Sequence, residues 1–563
     1  MPSRLAVVQV LFLGFIAWPR LLGAGQPAAG EVPPPPTDAE LKERVKHWVR
    51  RLYISSNSFE TEKCRNNLVA LGKNAVVPFI EVVQEDIKKP LPFHIWNVCL
   101  TLGRMADDRA VLYLLKRLEP VPAQELKAYP DWNYTRAFAA LALGKIPDPA
   151  NMALGPLRKI VAGEKEPALV RRTSALALGV LQDEAAIQPL ALLLLNPQAP
   201  SKLRAAVAMA LGTLRVEAAT SKLLEYLALD EKSRDPFASR MAVLGLGLQR
   251  SEKAVEPLRK LLAENDPSLQ GSVALVLGWI GNRAAADEIQ KLMHDDRTPI
   301  FTRCNAAVAL GGLGKPEQAS EFLRKVLQAN PKTFTPGTVA YAAIALGEFL
   351  GDENLRILSV TIENTHFPVV ALNAIIALGH RKDTRLVDFL KARFHKLEGG
   401  SNQYLRGEIV RALLAHSPQE SIRTLLFNGV KDSSDYVQAK SAVALARYPG
   451  SDTEAVLIEC LADRSYELRG EAALTLGVLK SAKAVEPLRK LLKDDYDWVR
   501  LRSRLALENI IKFGQNEFHQ TAGIRDLIDQ RLRVLGGSLK EELDRLYDEG
   551  YRKVLELDRP GKS

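Results

Sequence analysis

Aromatic side chains are scarce in this 563-residue chain, at 6% of residues, and only four cysteines occur. With so few rings, a core must be filled by Ala and Leu, which suits closely packed helices better than a sandwich of strands. Cys64, Cys99, Cys304 and Cys460 form no CxxC pair, and no Cys or His stands at zinc-ligand spacing. A disulfide framework is therefore excluded as the organising device, and the thiols are expected to pack as small apolar groups. No two of the eight histidines lie three or four residues apart, so no single helix offers a metal-binding face. The phosphate-binding loop, the nucleophile elbow and the dinucleotide fingerprint are missing too. The sequence thus predicts no catalytic residue, no metal and no cofactor. The formal charge of +10 is too dilute over this length to point to a nucleic-acid partner.

Long apolar runs are also absent beyond the N-terminus. There, Arg4 precedes a mostly apolar stretch from Leu5 to Trp18, followed by small residues in Leu21–Gly30. The run is short of the roughly 20 residues that span a bilayer, so residues 1–24 read as a secretory signal cleaved after Ala24. The mature chain is expected to carry no transmembrane span and to work in an extracytoplasmic space, secreted or periplasmic. Residues 25–40 include the run Pro33–Pro36 and read as an extended linker.

What the chain has in abundance is repetition. The nonapeptide AVEPLRKLL occurs at Ala254–Leu262 and again at Ala484–Leu492. A tripeptide close to Ala-Leu-Gly returns with its third position at residues 72, 103, 144, 179, 212, 247, 278, 311, 347, 379, 415, 446, 477 and 508. The period is about 34 residues, a helix-pair length. Leu precedes the slot in every unit, and Gly occupies the slot itself in all but Ala415, Ala446 and Glu508. Within a unit, Val485, Leu488, Leu491 and Leu492 make the stripe of a first helix, and Asp497–Ile510 reads as a second. Glycine inside a helix costs about 1 kcal/mol relative to alanine, so its recurrence predicts either tight contact or a helix end. The expected fold is all-α: an α-solenoid of about fourteen stacked helix pairs over residues 41–515, with a helix over residues 41–56 capping its start. Residues 516–563 read as a C-terminal helical cap, opened by a capping box of Ser538 and Glu541.

The pattern A-V-x-P-L-x-x-L-L, then Asp, then V-R-x-x-A-A-x-A-L-G resembles the HEAT family of helical repeats, in the short form found in phycocyanobilin lyase subunits. The resemblance covers residues 60–512 and speaks to fold far more than to function. It implies an internal polar ladder in which an Asp stands six residues before an Arg, here Asp463 with Arg469 and Asp494 with Arg500. It also brings enzymatic alternatives: a bilin lyase-like activity, or a metal-dependent oxidoreductase such as deoxyhypusine hydroxylase. The latter takes its iron ligands from His-Glu dipeptides, and this chain has none.

Eight residues before the slot stand Arg136, Arg171, Arg204, Arg303, Arg469 and Arg500. The first four lack the Asp six residues earlier. Equivalent positions in a stack face one way, so Arg136, Arg171, Arg204 and Arg303 are the candidate binding residues for an acidic protein partner, through guanidinium–carboxylate pairing. The competing expectation is that nearby acids such as Asp131 or Glu166 satisfy them locally. The function this predicts is a non-enzymatic protein-binding scaffold of the cell envelope, with a polyanion-binding solenoid as a further alternative.

Overall fold

The computed structural model describes residues 37–513, apart from 55–57, 87–94, 121–131, 331, 380–382, 398–401 and 415. The signal-like segment, Pro33–Pro36, most of the loop inserted after Glu119, and the tail with Ser538 and Glu541 lie outside the described residues. Among those described, all regular structure is helical, and α-helices alternate as first and second members of repeated pairs. The chain divides between Lys315 and Pro316 into two compact bodies.

The duplicated nonapeptide forms the same element twice. A 3-10 turn, Glu252–Ala254 or Ala482–Ala484, leads into a seven-residue helix, Val255–Leu261 or Val485–Leu491. Pro257 and Pro487 fall in the first turn, where a missing N–H leaves no bond unmade. Leu258 and Leu488 are fully buried, each contributing about 1.5–3 kcal/mol on removal from water.

The second helices show why the tripeptide repeats. A Cβ built on Gly103 would lie 3.0 Å from the Cα of Ala142; on Gly144, 3.2 Å from Ala177; on Gly278, 2.7 Å from Ala309; on Gly477, 2.6 Å from Ala506. Each of these alanines stands two residues before its own slot. One Ala-Leu-Gly therefore makes two contacts: its Gly admits the next second helix, and its Ala rests on the Gly of the one before. At these slots the Gly is a place of close approach, inside its helix at Gly103, Gly278 and Gly477 and just past the helix end at Gly144, whereas Gly72 lies beyond its helix with φ 77° and nothing within 4 Å. After the slots Gly247, Gly278 and Gly477 the chain turns left-handed three residues on, at Arg250 (φ 50°), Gly281 (φ 83°) and Lys480 (φ 52°).

Two sequence expectations are corrected by this register. Gly379 meets Ala412, so the slot of the eleventh unit is Leu414 and not Ala415. The first helix is Asp38–Ile54, starting three residues before the expected helix. Thr37 and Glu40 form a capping box there: the Thr37 N–H donates to the Glu40 carboxylate at 2.9 Å, and the Glu40 N–H donates to Thr37 Oγ1 at 3.3 Å. Trp48 and Leu52 are buried on its inner side, as a capping helix requires.

Candidate interaction surface

The arginine row sits at the joint between the two helices of each pair. In the N-terminal body, Arg136 is 2% exposed; its Nε donates to the Leu118 carbonyl at 2.7 Å, and its Nη2 lies 2.7 Å from Glu166. Arg171 donates to the Val161 carbonyl at 3.0 Å, and burial draws its pKa below the ordinary arginine value, opposed by Glu164 and Glu166. Arg204 lies 3.4 Å from Asp235. Arg303 donates to the Met293 carbonyl at 2.8 Å and lies 2.7 Å from Asp296. These carbonyls close the first helix of each pair, where the last turn leaves acceptors unbonded and the helix dipole favours a cation. Gln270 fills the same position in its unit and donates to the carbonyls of Leu262 and Glu264.

The C-terminal body repeats the arrangement with a difference from the expected ladder. Arg469 donates to the backbone carbonyl of Asp463 at 2.8 Å, not to its carboxylate. Its carboxylate partner is Asp494, held through Nε at 2.7 Å and Nη2 at 3.0 Å. The Asp463 carboxylate instead accepts from the Ser465 N–H at 2.7 Å. Arg500 likewise donates to the carbonyl of Asp494 and pairs with Asp497, 2.9 Å from its Nε. The Arg469–Asp494 rung thus joins neighbouring units, 25 residues apart. Arg406 is a member of the row that sequence spacing missed. With the slot placed at Leu414 it stands eight residues before it, donates to the Leu397 carbonyl at 2.8 Å and reaches Asp432, 26 residues on, at 2.7 Å. Aligning Gly379 with Ala412 would have revealed it.

Beside this row, ten residues before the slot, stand Tyr134, Phe237, Phe301, Tyr404, Tyr436 and Trp498. In a chain that is 6% aromatic, composition alone would put about one aromatic in fourteen such positions. The position is the first turn of the second helix, on its solvent side. Phe237 is 38% exposed, Phe301 52% and Tyr404 52%. In the C-terminal body the ring of Tyr404 lies 5.5 Å from that of Tyr436, the Lys440 ammonium sits 4.4 Å above Tyr436, and the Arg502 guanidinium 3.7 Å above Trp498. Beneath that ridge Glu408 binds Lys440 at 2.8 Å and also Arg411. Burial pushes the Glu408 carboxyl up, but the two cations outweigh it and hold it down at about 2.

All four cysteines are free and buried, and burial lifts the thiol of Cys64 to about 11 and those of Cys99, Cys304 and Cys460 to about 12. Among the described residues no helix is long and apolar enough to cross a membrane. No group of three or more His, Cys, Asp or Glu side chains among them is placed to hold a metal ion.

The family model for HEAT repeats matches residues 120–211, 228–303 and 424–508, the units whose Ala–Gly interlock is described above. Those three stretches are HEAT repeats. The chain's HEAT repeats are similar to the 26S proteasome regulatory subunit RPN2 of Eremothecium gossypii, at 25% identity over 281 residues, which are 46% of this chain and only 28% of that subunit. They are also similar to deoxyhypusine hydroxylase of Schizosaccharomyces pombe, at 23% identity over 295 residues, 51% of this chain and 90% of the enzyme. Among solved structures, the CpcE–CpcF complex of phycocyanin lyase from Nostoc matches 46% of this chain and 93% of its own, with a TM-score of 0.31 and 20% identity.

Proposed function

We propose that this protein is a non-enzymatic protein-binding scaffold that works outside the cytoplasm. The observation that carries the binding reading is the aromatic row at the start of the second helices. Its members recur in register and present Phe237, Phe301 and Tyr404 to solvent. Large aromatic side chains are what hot spots of protein interfaces are made of, and exposed apolar patches on repeat surfaces mark contact sites. The arginine row has a different task in this reading. Arg136, Arg204, Arg303, Arg406 and Arg469 each answer an acid, and all but Arg204 also a helix-end carbonyl, so they lock helix pairs in register. An acidic partner meets the ridge beside them.

The extracytoplasmic assignment rests on Arg4 and the apolar stretch Leu5–Trp18. Its test is the mass and N-terminal sequence of the protein recovered from its natural source. A mature chain beginning at Gly25 supports secretion; an intact Met1 in the cytoplasmic fraction overturns it. The binding reading is tested by affinity capture with Phe237→Ala, Phe301→Ala and Tyr404→Ala combined. Loss of captured partners at unchanged thermal stability supports the ridge.

A further inference from the structure

Six consecutive second helices of the N-terminal body share a charge pattern. Trp132–Leu143, Ala168–Val180, Ser201–Thr213, Pro236–Gln249, Pro267–Ile280 and Ile300–Gly312 contain no Asp and no Glu. With 66 acids in 563 residues, helices of this combined length would carry about nine. They do carry cations, including Lys202, which is exposed, and Arg240, whose guanidinium lies 5.7 Å over the Phe237 ring. Among the first helices between them, Glu217–Leu227, Val255–Leu261 and Ala286–His294 hold acids, such as Glu217, Glu225, Asp287 and Glu288, while Val111–Leu118, Leu154–Ala162 and Ile187–Leu195 hold none. In the C-terminal body, second helices contain Glu408, Glu467 and Glu471. Ser58–Ala70, at the start of the N-terminal body, also carries Glu60 and Glu62, and Pro336–Leu346 and Pro368–Gly379 of the C-terminal body carry no acid, so the acid-free feature belongs to a run of second helices and not to one body as a whole.

The face of that run is also apolar. Phe237, Met241 and Leu244 stand at spacings of four and three, on one side of their helix, and none of them is fully buried. On the adjoining second helix, Leu275 and Trp279 continue the surface, and Phe301 follows on the next. A Cβ on Gly247 would come within 2.7 Å of the Trp279 ring, so the indole lies across onto the neighbouring helix and joins the two. Three acids in the nearby connections are engaged against the body, Glu166 by Arg136, Asp235 by Arg204 and Glu264 by Arg234, while Asp296 pairs with Arg303 at the exposed margin.

We infer that this acid-free face of the N-terminal body receives an acidic amphipathic helix of a partner protein. Apolar side chains of that helix lie among Phe237, Met241, Leu244, Leu275, Trp279 and Phe301, and its flanking carboxylates meet Lys202 and Arg240. Helix-in-groove recognition needs an apolar stripe to cover and charges at its margins of one sign, and both are present here. Steering by like-signed margins also rejects basic helices. The inference rests on the protein-binding reading and specifies its partner.

The test is a display library of random 16-residue peptides, selected on the full chain and rebound to two surface variants, Phe237→Ser with Phe301→Ser, and Lys202→Glu with Arg240→Glu. Unchanged circular dichroism and thermal unfolding show that each variant is folded. The expected result is enrichment of peptides with Leu or Phe at i, i+3, i+4 and i+7 among Asp and Glu, with affinity falling about tenfold or more on both variants. Enriched peptides that are basic or uncharged, or acidic peptides that bind both variants as tightly as the native chain, overturn the inference while leaving the protein-binding reading in place. No enrichment at all overturns both. Phosphatidylglycerol vesicles are run alongside; sedimentation of the native chain with them, lost in the same variants, overturns the peptide assignment in favour of a membrane surface.

Discussion

A methyl group added at Gly278 would sit 2.7 Å from the backbone Cα of Ala309, and one added at Gly155 would touch nothing within 4 Å. Both glycines lie within helices, where alanine is preferred by about 1 kcal/mol. At Gly278 the obstacle is a neighbouring main chain, and overpacking of that kind costs about 1–3 kcal/mol, which exceeds the gain. Gly278→Ala is therefore expected to lower unfolding free energy in urea, and Gly155→Ala to raise it by up to about 1 kcal/mol. If both substitutions stabilise, the interlock is not a close-packed contact. His416 supplies a second test at this scale. Both of its ring nitrogens are buried without a hydrogen-bond partner; burial lowers its pKa from 6.5, while Asp383 pulls it up and Arg447 pushes it down. A depressed pKa in the folded state means that stability is complete above pH 6.5 and declines as pH falls through the folded value. His416→Leu removes that decline, so the melting temperatures of variant and native protein should diverge between pH 7.5 and pH 5. Parallel curves would show that the imidazole is solvated. Glu408, held at about 2, adds a loss at lower pH, between its ordinary 4.5 and 2.

At the scale of the helix pair, an arginine decides the register. Arg406 and Asp432 are buried with side chains 1% and 6% exposed, and the guanidinium also closes the preceding helix through the Leu397 carbonyl. Removing one partner strands a buried charge, so Arg406→Ala is expected to cost about 3–5 kcal/mol, measured by denaturant unfolding. A loss below about 1 kcal/mol would place the pair among surface salt bridges of little consequence. How the sequence failed to reveal this is physical. Spacing within a unit suggested that Arg469 and Arg500 each look six residues back for an acid. The helix-end carbonyl takes that place in Arg469, and the acid comes from the following unit, across a packing contact that linear spacing does not display. The helices themselves were legible, since Leu-Gly marks most second helices and Pro257 and Pro487 mark the first turn of a first one. The eleventh slot was misplaced by one residue because Leu413, Leu414 and Ala415 offer two registers, and only the contact of Ala412 with Gly379 distinguishes them. That single shift concealed Arg406 and moved Tyr404 out of line with the other aromatics.

Within each body, two rows run side by side along the repeats. The guanidiniums face inward to carbonyls and acids; the aromatics two residues before them face outward. Charge alone drew attention to the arginines, because a row of cations is conspicuous in a sequence and their internal partners are not. The most direct measurement is quantitative capture of proteins from the natural source by three forms of the chain. These are the native form, one with Phe237→Ala, Phe301→Ala and Tyr404→Ala, and one with Arg171→Gln and Arg303→Gln. The account predicts that the aromatic variant keeps its melting temperature and loses its partners about tenfold or more. It predicts that the arginine variant loses thermal stability while, below its melting point, it still binds. Capture that survives in the aromatic variant and vanishes in a fully folded arginine variant would contradict the account and return the binding site to the arginines.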